Sequence, residues 1–134
     1  MKTEKPTTKI IAGKYKGKIL ELPSLDVTRS SKARLKESLF NVLQFDIIDK
    51  IFIESFAGSG SIGLEAISRG AKRAYFVELD RNSYQILLKN CKAVDMEKCQ
   101  TVQGNTFVQT PLFINFLKNS QDEIVLYIDP PFDY

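Results

Sequence analysis

The sequence predicts an α/β fold: four parallel strands with intervening helices, preceded by an N-terminal β-hairpin and helix. Three observations carry this. From residue 51 onward, short apolar runs alternate with helix-length amphipathic stretches, the order of right-handed βαβ units. Gly58-Ser59-Gly60-Ser61-Ile62-Gly63 lies between the first of those runs and the helix that follows it. The 134 residues, 43% hydrophobic and 26% charged, suit one globular domain and are too few for two.

Residues 1–8 read as a frayed start. Lys9–Gly13 and Lys18–Leu22 are β-like runs about Gly13-Lys14-Tyr15-Lys16-Gly17, a hairpin that Pro23 ends. A basic stretch from Thr28 enters a helix whose Leu35, Leu39, Val42 and Leu43 recur on one face, with Ser30 or Ser31 available as its cap. Ile51–Phe56 reads as a buried strand, Ala57–Ser61 as a glycine-rich turn and Ile62–Arg69 as a helix closed by Gly70. Ala74–Leu79 is the second strand of the parallel set and Asn82–Ala93 the next helix. Gln100–Gln103 is the third strand, Leu112–Leu117 a helix after Pro111, and Glu123–Asp129 the fourth strand. This divides the chain into a basic arm and hairpin, 1–36, and a main domain, 37–134.

Composition excludes whole classes of chemistry. There is no histidine, so imidazole acid–base catalysis and His-ligated metals are ruled out. Cys91 and Cys99 lack metal-ligand spacing and read as free thiols of a reducing compartment. No apolar run approaches the roughly 20 residues of a membrane span, and no secretory leader opens the sequence, so a cytoplasmic, membrane-free protein without a metal is expected. Charge is split. Residues 1–36 hold ten Lys/Arg against three acids, and residues 37–134 hold nine against thirteen. A basic arm on a mildly acidic body suits a polyanionic partner, or simply a solvated lysine-rich terminus.

The Gly58–Gly63 turn stands where nucleotide cofactors bind, its glycines allowing close backbone approach and its helix offering a partially positive end. Glu78 ends the next strand twenty residues after Gly58 and can accept both ribose hydroxyls of an adenosine-containing cofactor. A dinucleotide and S-adenosylmethionine both fit so far. Glu54, four residues before Gly58, favours the second. A carboxylate there would repel a pyrophosphate but suits a cationic amino group.

Asp129-Pro130-Pro131-Phe132 follows the last strand directly. Two prolines remove two N–H donors and leave carbonyls free to accept. The Asp129 carboxylate and the Pro130 carbonyl can hold both hydrogens of an exocyclic base amine, directing its lone pair at a methyl donor. Phe132 can stack on the ring.

Taken with the hairpin, these segments resemble the bacterial small-subunit (16S) ribosomal RNA guanine-N2 methyltransferase family. The matching stretches are Ile10–Gly17 (I-I-A-G-K-Y-K-G), Arg34–Asn41 (R-L-K-E-S-L-F-N), Phe56–Gly60, Gly63–Ala66, Val77–Asp80 and Asp129–Phe132. The hairpin and the R-L-K-E helix are the specific ones; the turn and D-P-P-F are general to amino-methyltransferases. The resemblance implies a Rossmann-like S-adenosylmethionine-dependent methyltransferase acting on ribosomal RNA, free or in an assembling small subunit, and expected to be a monomer at full length. It implies that Glu54, Phe56, Ala57, Gly58, Ser59 and Gly60 surround the methionine part of the cofactor. Glu78 and Leu79 would hold the ribose, Asn105 would lie near the adenine, and Asp129 would complete the pocket. Asp129, Pro130, Pro131 and Phe132 would handle the target amine, and Lys14, Lys16, Lys18, Arg29, Arg34 and Lys36 would contact RNA phosphates. Residues 29–34 read R-S-S-K-A-R where the family commonly has R-P-T-[ST]-[DE]-R. The family's sheet also continues past D-P-P-F, so the 123–129 strand is expected to be an exposed edge of a shortened form.

Other readings keep parts of this pattern. A methyltransferase for adenine N6 in DNA or for protein glutamine would keep D-P-P-F. A dehydrogenase would keep the turn but tolerate Glu54 poorly, and a non-catalytic RNA-binding fragment would need only the arm.

Overall fold

The computed structural model of the protein describes residues 6–23 and 29–130. Strands β1 (Thr7–Lys9) and β2 (Ile19–Glu21) pair antiparallel, with Thr8 opposite Leu20. Helix α1 (Arg29–Leu43) leads to β3 (Ile51–Glu54), α2 (Ser61–Ser68), β4 (Arg73–Glu78) and α3 (Arg81–Val94). Strand β5 (Cys99–Gln103), α4 (Thr106–Leu117) and β6 (Ile124–Tyr127) complete the described chain. Strands β3 to β6 form one parallel sheet in the order β5-β4-β3-β6, the Rossmann-like arrangement expected from the alternation.

Both faces of the sheet are covered. Side chains alternate along a strand, and Phe52, Ala74 and Phe76 pack with Leu64, Ala66, Ile67, Leu87 and Cys91 of α2 and α3. Ile51, Ile53 and Tyr75 pack with Phe113 and Leu117 of α4 on the other face. All four β3 residues are buried, as a central parallel strand requires. Cys91 and Cys99 are free and buried; the neighbouring Cys99 thiol and burial push the Cys91 pKa up, which makes it a poor nucleophile.

The hairpin has no core of its own. Ile10 and Leu20 are buried in the cluster that holds Phe52 and Phe76. The hairpin is fixed by a carboxylate that interrupts the apolar run of α2. Glu65, fully buried, accepts the N–H groups of Ile11 (2.9 Å) and Ala12 (3.1 Å) and the Arg69 Nε–H (2.8 Å). The Lys36 ammonium lies 3.5 Å from it. Ser68 donates its hydroxyl to the Ala12 carbonyl and accepts the Tyr15 N–H, while its own carbonyl takes the Lys14 N–H at 2.8 Å. The hairpin turn thereby satisfies the C-terminal end of α2, where helical carbonyls lose their internal partners. Gly13 sits at φ +93°, and a Cβ there would collide with the Ser68 carbonyl.

Three local expectations are corrected. Helix α1 starts at Arg29, so Ser30 and Ser31 lie in its first turn and not at its cap. Its inward side chains are Lys36 and Phe40, with Leu39 and Leu43 packed at the margin, whereas Leu35 and Val42 are 49% and 78% exposed. A buried ion pair rotated the helix away from the face its leucines suggest. Helix α4 starts at Thr106 and contains Pro111. Asn105 caps it by accepting the Phe107 N–H at 2.8 Å, and Phe113 and Leu117, C-terminal to the proline, pack on the sheet.

Gly17 also has positive φ but faces open space. Gly13→Ala is expected to cost about 3 kcal/mol and Gly17→Ala about 1 kcal/mol, read from urea denaturation midpoints. Equal losses would mean that the Gly13–Ser68 contact does not hold in solution.

Candidate functional site

A parallel sheet delivers all its strand ends to one edge, where ligands of such folds bind. Here that edge gathers Glu54, the 55–60 turn, Glu78, Asn105 and Asp129-Pro130. After β3 the chain stays pinned to both neighbouring strands: the Ser55 N–H reaches the Tyr127 carbonyl (3.1 Å) and the Ala57 N–H reaches the Val77 carbonyl (2.9 Å). Gly58 and Gly60 then take positive φ, +55° and +81°, and Gly60 forms the N-terminal boundary of α2 without any side-chain cap. A Cβ at Gly58 would meet nothing within 4 Å, so the outer side of this turn is open to a ligand.

Glu78 reaches across to that turn. Its Oε1 accepts the Gly58 N–H at 2.7 Å and its Oε2 the Asp80 N–H at 2.8 Å. A carboxylate oxygen can accept two hydrogen bonds, so the fixed group retains acceptor capacity toward hydroxyls. Leu79 beside it is 63% exposed, and Asp80 caps α3 through the Ser83 N–H.

Glu54 lies beneath the turn rather than in the open crevice. It is 3% exposed, and its Oε1 accepts the Gly63 N–H at 2.9 Å. Burial pushes its pKa up from the ordinary 4.5 to about 8, opposed by the Gly63 N–H and the Lys36 charge and reinforced by the carboxylates of Asp129 and Glu78. At neutral pH it is therefore mainly a neutral acid, where the sequence pattern led one to expect a free carboxylate. Gly63 is tight for a second reason: a Cβ there would strike the Phe76 ring.

Asp129 and Pro130 are exposed just past β6. Tyr127 lies two residues earlier; burial, then the charges of Asp129 and Glu54, raise its pKa to about 12. Its ring stacks on Phe52 at 6.2 Å and 24°. Pro131 and Phe132 lie outside the described residues. Phe56 meets Phe107 edge-on at 6.2 Å. The carbonyl oxygen of Asn105 is engaged in capping α4.

The structure thus brings Glu54, Phe56, Ala57, Gly58, Ser59, Gly60, Glu78 and Asp129 to one edge. The cations stand elsewhere. Lys14, Lys16 and Lys18 are exposed on the hairpin, Lys14 over the Tyr15 ring at 5.4 Å, near the far end of α2. Arg34 is exposed, and the Arg29 side chain is outside the described ones. Lys36 does not qualify as a phosphate contact. It is 2% exposed, donates to the Lys9 carbonyl at 3.2 Å and pairs with Glu65; burial lowers its pKa while Glu65 raises it. Sequence reasoning missed Glu65, Asn90 and Tyr127. The first two carried a signal, a polar residue inside an apolar helical stripe.

The chain is similar to known proteins over most of its length. Residues 8–134 match the family model described as conserved hypothetical protein 95. Ribosomal RNA small subunit methyltransferase D of Haemophilus influenzae is 38% identical over 133 residues, 97% of this chain and 66% of the relative. The protein of the same name from Escherichia coli K12 is 34% identical, across 92% of this chain and 60% of the relative. A solved Escherichia coli structure, yhhF, provisionally described as a methyltransferase, superimposes with a TM-score of 0.74 at 34% identity, covering 95% of this chain and 65% of that one. The chain therefore spans just under two thirds of the length of these relatives.

Glu54 makes stability depend on pH in a definite direction. The native carboxyl keeps its proton up to pH of about 8, while the unfolded one releases it near 4.5, so between these values the native state binds more protons and rising pH weakens it. Glu54→Gln cannot ionise and still offers Gly63 an acceptor. Its denaturation midpoint should fall less steeply between pH 5.5 and 8 than that of the unaltered chain, and parallel curves would refute the buried neutral acid.

Proposed function

Since the chain belongs to the conserved hypothetical protein 95 family, we propose that it takes part in methyl transfer from S-adenosylmethionine to an exocyclic base amine of small-subunit ribosomal RNA, the N2 of a guanine. The observation that carries this reading is the meeting of an open glycine turn, the fixed Glu78 and the Asp129-Pro130 pair at one sheet edge. Relatives 34–38% identical to this chain bear the name ribosomal RNA small subunit methyltransferase D.

The residues fit such a cofactor. Glu78 has acceptor capacity for ribose hydroxyls, and the open side of Gly58 leaves room for close approach. Glu54, Glu78 and Asp129 lie near enough to one another for the latter two to raise the Glu54 pKa, so the edge is electrostatically negative. That favours a cationic ligand and opposes a pyrophosphate, which argues against a dinucleotide. The cofactor supplies a methyl group on a sulfonium, a good leaving group.

The protein's own part is positioning. The amine of a base is a weak nucleophile because its lone pair is delocalised into the ring. The Asp129 carboxylate accepts one N–H and the Pro130 carbonyl the other, which draws the nitrogen toward a pyramidal form. Asp129 or water then takes the proton lost by the methylated nitrogen. Phe132, next in the motif, would stack on the base, which must be unpaired or flipped out to enter. The exposed Lys14, Lys16, Lys18 and Arg34 would meet phosphates, with Arg29 joining them. This assignment places the protein in the cytoplasm with its RNA.

Asp129→Ala should lower methyl transfer to 16S ribosomal RNA by on the order of 10²-fold or more while leaving S-adenosylhomocysteine affinity within about threefold. The assay follows tritium from labelled cofactor into RNA and maps the modified base. Undiminished transfer would sink the role given to Asp129, and label on adenine would replace the guanine assignment.

A further inference from the structure

One buried amide joins the hairpin to the glycine turn. Asn90 lies on the inward stripe of α3 with Leu87, Cys91 and Val94 and is 2% exposed. Its Oδ1 accepts the Glu21 N–H at 2.9 Å, and its Nδ2 donates to the Glu21 carbonyl at 2.9 Å. These two bonds imitate a rung of a β-ladder, with a side chain standing in for a neighbouring strand. The same Nδ2 also donates to the carbonyl of Ser59 at 2.9 Å. Ser59 is the residue between the two positive-φ glycines of the turn.

An asparagine amide has only two N–H groups, and both are committed here, one to each structure. The group is planar and rigid, so a shift of β2 turns the plane that holds Ser59, and a shift of the turn acts back on β2. Letting go is costly, because a buried donor left unpaired forfeits its solvation without a replacement. The hairpin itself is small. It has three paired residues per strand and depends on anchors of this kind to stay in place. At its other end it rests on the Ser68 carbonyl. The hairpin thus runs alongside α2, from the end that carries Lys14 to the turn that faces the crevice.

We propose that Asn90 is a positioning residue that couples RNA on the hairpin to S-adenosylmethionine on the Gly58–Gly60 turn, so that each ligand tightens the other. This rests on the cofactor and RNA reading given above. Either ligand, by fixing its own segment, fixes the amide plane that the other segment needs. By linkage the effect is reciprocal, with one factor for both ligands.

The test measures S-adenosylhomocysteine affinity by equilibrium dialysis, alone and with a saturating 16S ribosomal RNA transcript, for the unaltered chain and for Asn90→Ala. The unaltered chain should bind the cofactor product about fivefold or more tightly with RNA present, and Asn90→Ala should reduce that ratio to under about twofold. A merely structural role would lower the melting temperature or weaken both affinities and leave the ratio unchanged, which overturns the proposal. If the unaltered chain binds both ligands with a ratio of one, the coupling fails while the functional reading stands. Failure to bind either ligand at all overturns both. Should Asn90→Ala not fold, hydrogen exchange on the unaltered chain decides. Saturating S-adenosylhomocysteine should slow exchange of the Glu21 amide by about fivefold or more, and an unchanged rate overturns the proposal.

Discussion

The Glu65 carboxylate is the constraint on which the N-terminal half depends. It has no exposure to water, and its charge is met by Arg69 and Lys36, while its remaining acceptor capacity goes to the backbone of Ile11 and Ala12. A buried ion of this kind adds little net stability compared with a well-packed apolar group. Its value lies in selecting one arrangement. Removing any one partner leaves a charge or a donor in a dry place, so the hairpin, α1 and α2 are held in a single mutual geometry. That geometry explains why Lys36 points inward, why α1 turns Leu35 and Val42 to solvent, and why the hairpin loop ends against Ser68.

The crevice inherits its electrostatics from the same network. Lys36 lies within reach of both Glu65 and Glu54, and its charge partly offsets the desolvation of Glu54. Glu54 in turn holds the Gly63 N–H at the start of α2. Acids at the strand ends are thus unequal in kind. Glu78 is fixed by two backbone donors beside the turn, Glu54 is buried and mainly neutral, and Asp129 is exposed beside a half-buried phenol. Each stands in a different environment, although all three look alike in the sequence.

That contrast shows what could be read from the residues alone. The alternation of strand and helix, the glycine turn and the acid after the next strand are local patterns, and each appears where its spacing put it. The hairpin was legible from Gly13 and Gly17, though only the structure shows that Gly13 is required by the Ser68 carbonyl while Gly17 merely turns in open space. What could not be read depended on long-range partners. Lys36 reads as a surface cation until Glu65 is placed beside it, 29 positions along the chain. Glu54 reads as an anion until its burial is known. Pro111 reads as a helix start until Phe113 and Leu117 are seen packed against Ile51, Ile53 and Tyr75 of the sheet. Asn90 was visible as a polar break in an apolar stripe, but its two partners, Glu21 and Ser59, come from segments that no periodicity connects.

The anchoring of the hairpin also bears on the order in which the chain acquires its structure. The side chains that take the N–H groups of Ile11, Ala12 and Tyr15 belong to Glu65 and Ser68, 53 or 54 positions downstream. Contacts so distant in sequence must first overcome the entropy of closing the intervening loop. During synthesis the hairpin emerges before α2 and cannot dock until α2 has left the ribosome, a delay of several seconds at about 5–20 residues per second. In that interval its lysines travel as an open cationic segment beside the very class of polyanion that the mature protein is proposed to bind.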